Sequence, residues 1–250
     1  MLPTRSIESR LPPVELNVTK GQDDKKQRML ILCGLVGSGK STFANAVVSF
    51  DSSYVRISQD VLGTRQECER ITRRSLREGL SVIIDRQNFD LQQRSKWIQI
   101  GLEYRRESHR FVTIDLIEFN TPVLECSNRL NVRTDHETLK NVNEAQGILR
   151  LGIKNWVPPH PSEGYERHLQ LDPFDKQVES MNPLNGIGKC FISYPIEKSC
   201  IDSILDLLES LPMIQNPSPR LGLPKLESSS SRGDRAGWRG RGRGYNKSSY

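Results

Sequence analysis

MLILCGLVGSGKSTFANAVV, residues 29–48, is the stretch from which the rest of the chain can be read. Met29 to Cys33 is a short, continuously apolar run of the kind that forms a parallel strand buried on both faces. Gly34 to Ser41 then satisfies G-x-x-x-x-G-K-[ST], the P-loop pattern. Thr42 to Val48 continues with helical spacing, Phe43 and Val47 falling four apart on one face. Gly34, Gly37 and Gly39 allow a tight turn whose backbone N–H groups can reach phosphate oxygens. The helix that begins near Lys40 points its positive end at the same place. Lys40 can reach β- and γ-phosphates as a point charge, and the Ser41 hydroxyl is placed to ligate Mg²⁺. Ser38 and Thr42 belong to the same cradle. The pattern implies a nucleoside triphosphate and leaves the phosphate acceptor open.

Working outward, strands and helices alternate. Tyr54–Ser58 reads as a second strand, Val61–Glu78 as a charged helix closed by Gly79, and Leu80–Ile84 as a third strand ended by Asp85. Asp90 can cap a helix starting at Leu91, with Trp97, Ile98 and Leu102 on its inner face. Phe111–Phe119 is a fourth strand, and Thr121-Pro122 opens another helix. Gly147–Asp175 reads as irregular, a helical piece followed by W-V-P-P-H-P and then S-E-G-Y-E-R-H-L-Q-L, whose last part, near Arg167–Leu171, reads as an edge strand. Gly188–Pro195 suggests a further strand, and Cys200–Leu211 an amphipathic helix. Such alternation implies parallel pairing with right-handed crossovers, hence an α/β fold: a doubly wound parallel sheet of the P-loop NTPase type. The expected organisation is a flexible lead-in over 1–27, a P-loop domain over 28–172, an extension over 173–212 packing on that core, and a disordered basic Arg/Gly-rich tail over 213–250.

Composition agrees with a partly unfolded chain. Only 35% of residues are hydrophobic, against the usual ~45–50% that also counts glycine. Residues 216–250 carry eight basic and two acidic side chains, which accounts for the whole net charge of +6 and leaves the remainder formally neutral. Any nucleic-acid affinity of the folded part must therefore come from local patches. The five cysteines are odd in number and have no C-x-x-C spacing, which fits a reducing compartment, nucleus or cytoplasm. No apolar run approaches the ~18 residues of a membrane span, and the N-terminus carries no apolar signal region. A monomer is expected.

A phosphotransferase also needs a base for its acceptor and cations for the charge that spreads during transfer. Asp60, just past the second strand, is placed either to accept a proton from an attacking hydroxyl or to cap the following helix. Asp85, at the end of an apolar strand, can hold a Mg²⁺-bound water, pin an arginine or cap a helix. Arg129 and Arg133 share a helical face; they form either a phosphate clamp on a lid or a solvated surface pair. The four histidines show no metal-ligand spacing. In the tail, Trp238 to Tyr245 mixes arginine with aromatics, a composition that attracts phosphate and stacks on unpaired bases, or serves solubility or localisation.

G-L-V-G-S-G-K-S-T, I-S-Q-D-V-L-G-T-R-Q-E-C, V-I-I-D-R-Q-N-F-D-L-Q-Q-R and N-R-L-N-V-R, in that order, resemble the 5′-hydroxyl polynucleotide kinase family. That family includes the kinase half of animal polynucleotide kinase-phosphatases and the phage end-healing kinases. W-V-P-P-H-P-S-E-G-Y-E resembles its P-x-x-x-E-G-F segment, so the resemblance covers about Met29 to Leu171. It departs at the family's D-x-T-N, here Asp85-Arg86-Gln87-Asn88, and at Gly63, where phage members have an arginine that touches the acceptor phosphate. Acceptor contacts would then come from Arg65 or elsewhere. The 250 residues contain no D-x-D-x-T phosphatase motif, so a kinase module without that domain is expected. The resemblance implies ATP and Mg²⁺ at Lys40 and Ser41, Asp60 as general base, Arg129 and Arg133 as lid arginines, and an essential Asp85. Arg94 matches an arginine after the Asp85 block. The implied activity is ATP-dependent phosphorylation of a DNA or RNA 5′-hydroxyl in end healing, repair or RNA processing. A P-loop kinase for a small metabolite, or a nucleotide-gated binding module with little catalysis, remains open beside it.

Overall fold

The computed structural model describes residues 26–132, 142–173 and 187–215. Six strands form one sheet in the order β2-β3-β1-β4-β5-β6, and every neighbouring pair is parallel. β1 (Gln27–Cys33) runs between β3 (Ser81–Asp85) and β4 (Val112–Phe119). Its continuous apolar run follows from being covered on both sides. Met29, Ile31 and Cys33 face one layer, with Trp97, Ile98, Ile100 and Tyr104 of α4 (Leu91–Ser108). Leu30 and Leu32 face the other, with Phe43, Ala44 and Val47 of α1 (Lys40–Phe50). Helices thus cover both faces of a parallel sheet, the doubly wound α/β arrangement expected from the alternation of elements.

β1 begins at Gln27, two residues before the expected start. The Gln27 side chain is buried and donates to the carbonyls of Leu76 (2.8 Å) and Leu80 (2.7 Å), so a polar residue sits inside without orphaned donors. β2 (Tyr54–Ser58) forms as read. The helix expected over 61–78 is instead two, α2 (Gln59–Leu62) and α3 (Arg65–Arg77). Gly63, at φ +79°, ends the first, and the Thr64 hydroxyl caps the second by accepting from the Glu67 N–H at 3.1 Å. Asp90 caps α4 as read, accepting from the Gln93 N–H at 2.7 Å. Leu102, expected inside, is 42% exposed, because the inward stripe of α4 runs through Trp97, Ile98, Gly101 and Tyr104. Gly101 allows the approach to the sheet: a Cβ there would lie 2.7 Å from the Ile114 side chain.

α5 (Val123–Val132) and α6 (Val142–Lys154) pack on each other through Cys126, Leu130, Ala145 and Leu149, with Leu35 and Val36 of the P-loop against them. α6 ends at Lys154 and accounts for the helical piece expected at the start of 147–175.

Arg167–Leu171 is not at the edge. β5 (Arg167–Asp172) pairs with β4 on one side and β6 (Ile187–Phe191) on the other. Its polar side chains find partners on β4: His168 Nε2 lies 2.9 Å from Glu118 Oε2 and Arg167 Nη1 3.4 Å from Asp115 Oδ1, while His168 Nδ1 and Asp115 Oδ2 are buried without a hydrogen-bond partner. The strand expected over 188–195 ends at Phe191. α7 (Lys198–Ser210) lays Ile201, Ile204 and Leu208 into the same layer as α1 and β5. All described residues lie in the compact unit Met1–Pro217. Among them no helix is long and apolar enough to cross a membrane, and none of the five cysteines is disulfide-bonded. Most of the expected lead-in and nearly all of the expected tail lie outside the described residues.

Candidate functional site

The site assembles at the carboxyl ends of β1, β3 and β4, the end of a parallel sheet where connecting loops leave room for ligands. β1 delivers the P-loop and α1 follows it. Gly37 and Gly39 take φ +82° and +104°, and close approach also requires glycine at both. A Cβ on Gly37 would lie 2.7 Å from the Cys126 carbonyl oxygen of α5, and one on Gly39 2.1 Å from the Tyr194 hydroxyl. Gly34 donates its N–H to the Gln87 carbonyl at 3.0 Å, tying the loop to the segment after β3. The Ser38 carbonyl accepts from the Thr121 hydroxyl at 2.9 Å and from Arg129 Nη1 at 3.5 Å. A loop pinned from three directions costs little further ordering when it meets phosphate.

Lys40 is buried and its Nζ donates to the carbonyls of Gly34 (2.9 Å) and Leu35 (2.6 Å) and to Ser38 Oγ (3.1 Å). Burial pulls its ammonium down to about 8, partly offset by nearby Asp85. The Ser41 hydroxyl donates to Asp85 Oδ1 at 3.2 Å. The other oxygen of Asp85 accepts from Arg56 Nε and Nη2, both at 2.7 Å. Asp85 therefore pins an arginine while keeping one oxygen toward the P-loop. Among the described residues no group of three or more His, Cys, Asp or Glu could hold a metal ion. Mg²⁺ takes one or two protein oxygens and fills its shell with phosphate and water. Ser41, with Asp85 acting through water, fits such an ion.

Two cavities meet here. The first, about 550 Å³, is lined by P-loop and α1 residues from Gly37 to Thr42, by Arg129 of α5, and by Asp60, Asp85, Arg86, Gln87 and Tyr194. The second, about 430 Å³, is lined by Gln59, Asp60, Gly63, Asp85, Arg86, Gln87, Phe89 and Gln93 and includes no P-loop residue. Asp60, in the first turn of α2, lies on the wall that the two share. Arg65 lines neither; it pairs with Glu69 at 3.3 Å on the surface of α3. The guanidinium lining both cavities is Arg86, half-buried and 5.8 Å from the centroid of the Trp97 ring.

Arg129 reaches the first cavity, its Nε held by Glu125 at 2.7 Å and its guanidinium 5.2 Å from the Tyr194 ring centroid. Arg133 lies outside the described residues. Lys40, Ser41, Asp60, Asp85 and Arg129 thus come together around one cavity, with Gly37, Ser38, Gly39 and Thr42 in or beside its wall and Gly34 at the base of the loop.

Arg94 is elsewhere. It is fully buried, pairs with Glu163 through two 2.7 Å contacts, and donates to the carbonyls of Asn88 and Val157 at 3.0 Å. It fixes the W-V-P-P-H-P-S-E-G segment to α4. Asn88, also buried, donates to the Leu32 carbonyl at 2.7 Å and accepts from the Trp97 indole at 3.1 Å. Arg56 and Tyr194 were missed at the sequence level. A charge inside the otherwise apolar β2 was a legible signal for Arg56; Tyr194 carried none.

No family model matches the chain. It is 34% identical over 174 residues to a protein from Arabidopsis thaliana named transcription factor bHLH140, covering 66% of this chain and 18% of that one. It is 35% identical over 78 residues to the bifunctional polynucleotide phosphatase/kinase of Schizosaccharomyces pombe, covering 31% of this chain and 19% of that one. The matched segment thus spans under a fifth of either relative. Among solved structures, a fungal RNA kinase superposes with a TM-score of 0.50 at 16% identity, covering 62% of this chain and 78% of that one. That likeness shows the fold.

Proposed function

Because the chain belongs to the P-loop polynucleotide 5′-kinase family, we propose that it transfers the γ-phosphate of ATP to the 5′-hydroxyl end of DNA or RNA. One observation carries the reading: Asp60 lies on the wall shared by the P-loop cavity and a second cavity without P-loop residues. A general base for phosphoryl transfer must touch the acceptor hydroxyl and also face the phosphorus under attack. The donor occupies the first cavity and the acceptor end the second.

Each residue then has a task. The N–H groups at the start of α1 and Lys40 hold the β- and γ-phosphates and stabilise the charge that spreads over the transferred group. Ser41 and, through water, Asp85 would hold Mg²⁺, which would supply neutralisation of the phosphate charge. Asp60 accepts the proton as the 5′-oxygen bonds to the γ-phosphorus and ADP leaves. Arg129 clamps the phosphates from α5, and the family resemblance assigns Arg133 the same task. The Arg/Gly tail attracts the nucleic-acid backbone, and the free cysteines fit work in the nucleus or cytoplasm.

The test is γ-labelled ATP with matched DNA and RNA strands that differ only in carrying a 5′-hydroxyl or a 5′-phosphate. The reading predicts label on hydroxyl-ended strands alone, recovered after digestion as nucleoside 5′-monophosphate. Label on a small hydroxylated metabolite, with none on either polymer, would replace this reading with a metabolite kinase.

A further inference from the structure

The site offers a divalent cation the Ser41 hydroxyl and the Asp85 carboxylate, and those two groups already touch. Asp85 has a second partner from another strand. Arg56 stands on β2 opposite Ile83, two residues before the Ser58–Asp85 pair, so its side chain lies on the same face of the sheet as Asp85. From there its Nε and Nη2 both donate to Asp85 Oδ2 at 2.7 Å, while Oδ1 accepts the Ser41 hydroxyl at 3.2 Å. The pair is almost closed to water: 12% of the Arg56 side chain and 2% of the Asp85 side chain are exposed. The surroundings are cationic as well. Among the described residues lining the first cavity, Lys40, Arg86 and Arg129 stand against Asp60 and Asp85, and Arg56 lies directly behind the second of these carboxylates.

We propose that Arg56 is a positioning residue that keeps Asp85 from holding a divalent cation until a triphosphate brings one. Its guanidinium engages one carboxylate oxygen and offsets the charge of the whole group. A buried carboxylate stripped of water draws in a cation; with Arg56 in contact that demand is already met. A free divalent ion would meet an excess of positive charge and a carboxylate already engaged. The same ion carried on phosphate oxygens arrives with its charge offset and most of its shell filled. The contact also fixes direction. Two donors hold Oδ2, so Oδ1 stays turned to Ser41, and a hydroxyl that gives its hydrogen to Asp85 keeps its lone pairs for the ion. A lysine would supply the charge without the two-pronged grip.

This rests on the nucleotide-binding half of the kinase reading and needs no acceptor. The test is equilibrium dialysis of Mn²⁺, with and without inorganic triphosphate, against the full chain, Arg56→Gln, Arg56→Lys, and Arg56→Gln combined with Asp85→Asn. The parent should retain Mn²⁺ only when triphosphate is present. Arg56→Gln should raise Mn²⁺ affinity without triphosphate about tenfold, and the added Asp85→Asn should abolish that gain. Arg56→Lys, which keeps the charge, should behave as the parent does. A role confined to stability would lower Mn²⁺ binding or leave it unchanged, not raise it. Mn²⁺ held by the parent as tightly without triphosphate as with it, no gain in Arg56→Gln, a gain that survives Asp85→Asn, or a gain in Arg56→Lys as large as in Arg56→Gln would each overturn the assignment. If Arg56→Gln does not fold, Arg56→Ser, which leaves room for water beside the carboxylate, replaces it. Absence of phosphate transfer to DNA or RNA would sink the kinase reading and leave the Mn²⁺ result standing.

Discussion

Lys40 and Asp60 carry the proposed chemistry at the residue scale, and their environments make different demands. Lys40 is buried, and burial pulls its ammonium down to about 8. Phosphate binds the charged form, so triphosphate affinity should be full below pH ~8 and fall as pH rises through it. Calorimetry with inorganic triphosphate between about pH 6 and pH 10 reads this directly; a flat profile would remove Lys40 from the cradle. Asp60 lines both cavities, so Asp60→Asn should lower the transfer rate by about 10²–10⁴-fold with ATP affinity unchanged. Single-turnover quench-flow separates the two quantities. Lys40 and Ser41 were legible because the loop and the helix that use them are contiguous. For Asp60 and Asp85, position at a strand end left base, metal, arginine and cap readings open. The structure places Asp60 in a helix's first turn at the cavity junction, and gives Asp85 an arginine on one oxygen and the Ser41 hydroxyl on the other. The Arg56 partner was not legible, since parallel strand pairing, not spacing along the chain, brings it to Asp85.

The Arg94–Glu163 pair matters at the scale of elements. Both side chains are almost wholly buried, and together they tie α4 to the 3₁₀ turn Pro161–Glu163. Removing one partner leaves a buried charge alone, so Arg94→Ala should cost about 3–5 kcal/mol. The paired replacement Arg94→Met with Glu163→Leu should cost far less, and urea denaturation of the single and double variants decides it. A smaller cost, about 1 kcal/mol, is expected for Thr64→Ala, which loses the cap of α3. The residue pattern located these elements but misjudged their limits where a local device intervened. Gly63 and Thr64 break what periodicity reads as one helix. β5 lies inside the sheet, where its Arg167 and His168 meet Asp115 and Glu118 on another strand, a pairing that spacing along the chain does not show.

For the whole molecule, charge divides along the chain: residues 1–215 are formally neutral and residues 216–250 supply the excess of +6. Removing them should leave the thermal midpoint within ~2 °C and weaken binding to single-stranded RNA, with a shallower salt dependence. Filter binding at several salt concentrations checks this; an unchanged salt slope would make the tail a solubility device. Truncation after Asp172 should instead abolish cooperative unfolding, because β6 and α7 cover Leu169, Leu171, Phe43 and Val47. The doubly wound sheet was legible because each buried strand is a continuous apolar run between helical patterns. The part played by β6, α7 and Tyr194 was not, because only the folded sheet brings the loop after β6 to the P-loop. The residues proposed to hold the donor, act as base and clamp the phosphates come from elements spread over most of the described chain, and their convergence on two adjoining cavities is the basis of the kinase reading. The most direct measurement is transfer of labelled γ-phosphate from ATP to 5′-hydroxyl DNA and RNA by the full chain and by Asp60→Ala, with ATP binding measured on both. The account predicts transfer by the parent and its loss in a variant that still binds ATP; equal transfer by both, or transfer by neither with ATP bound, would contradict it.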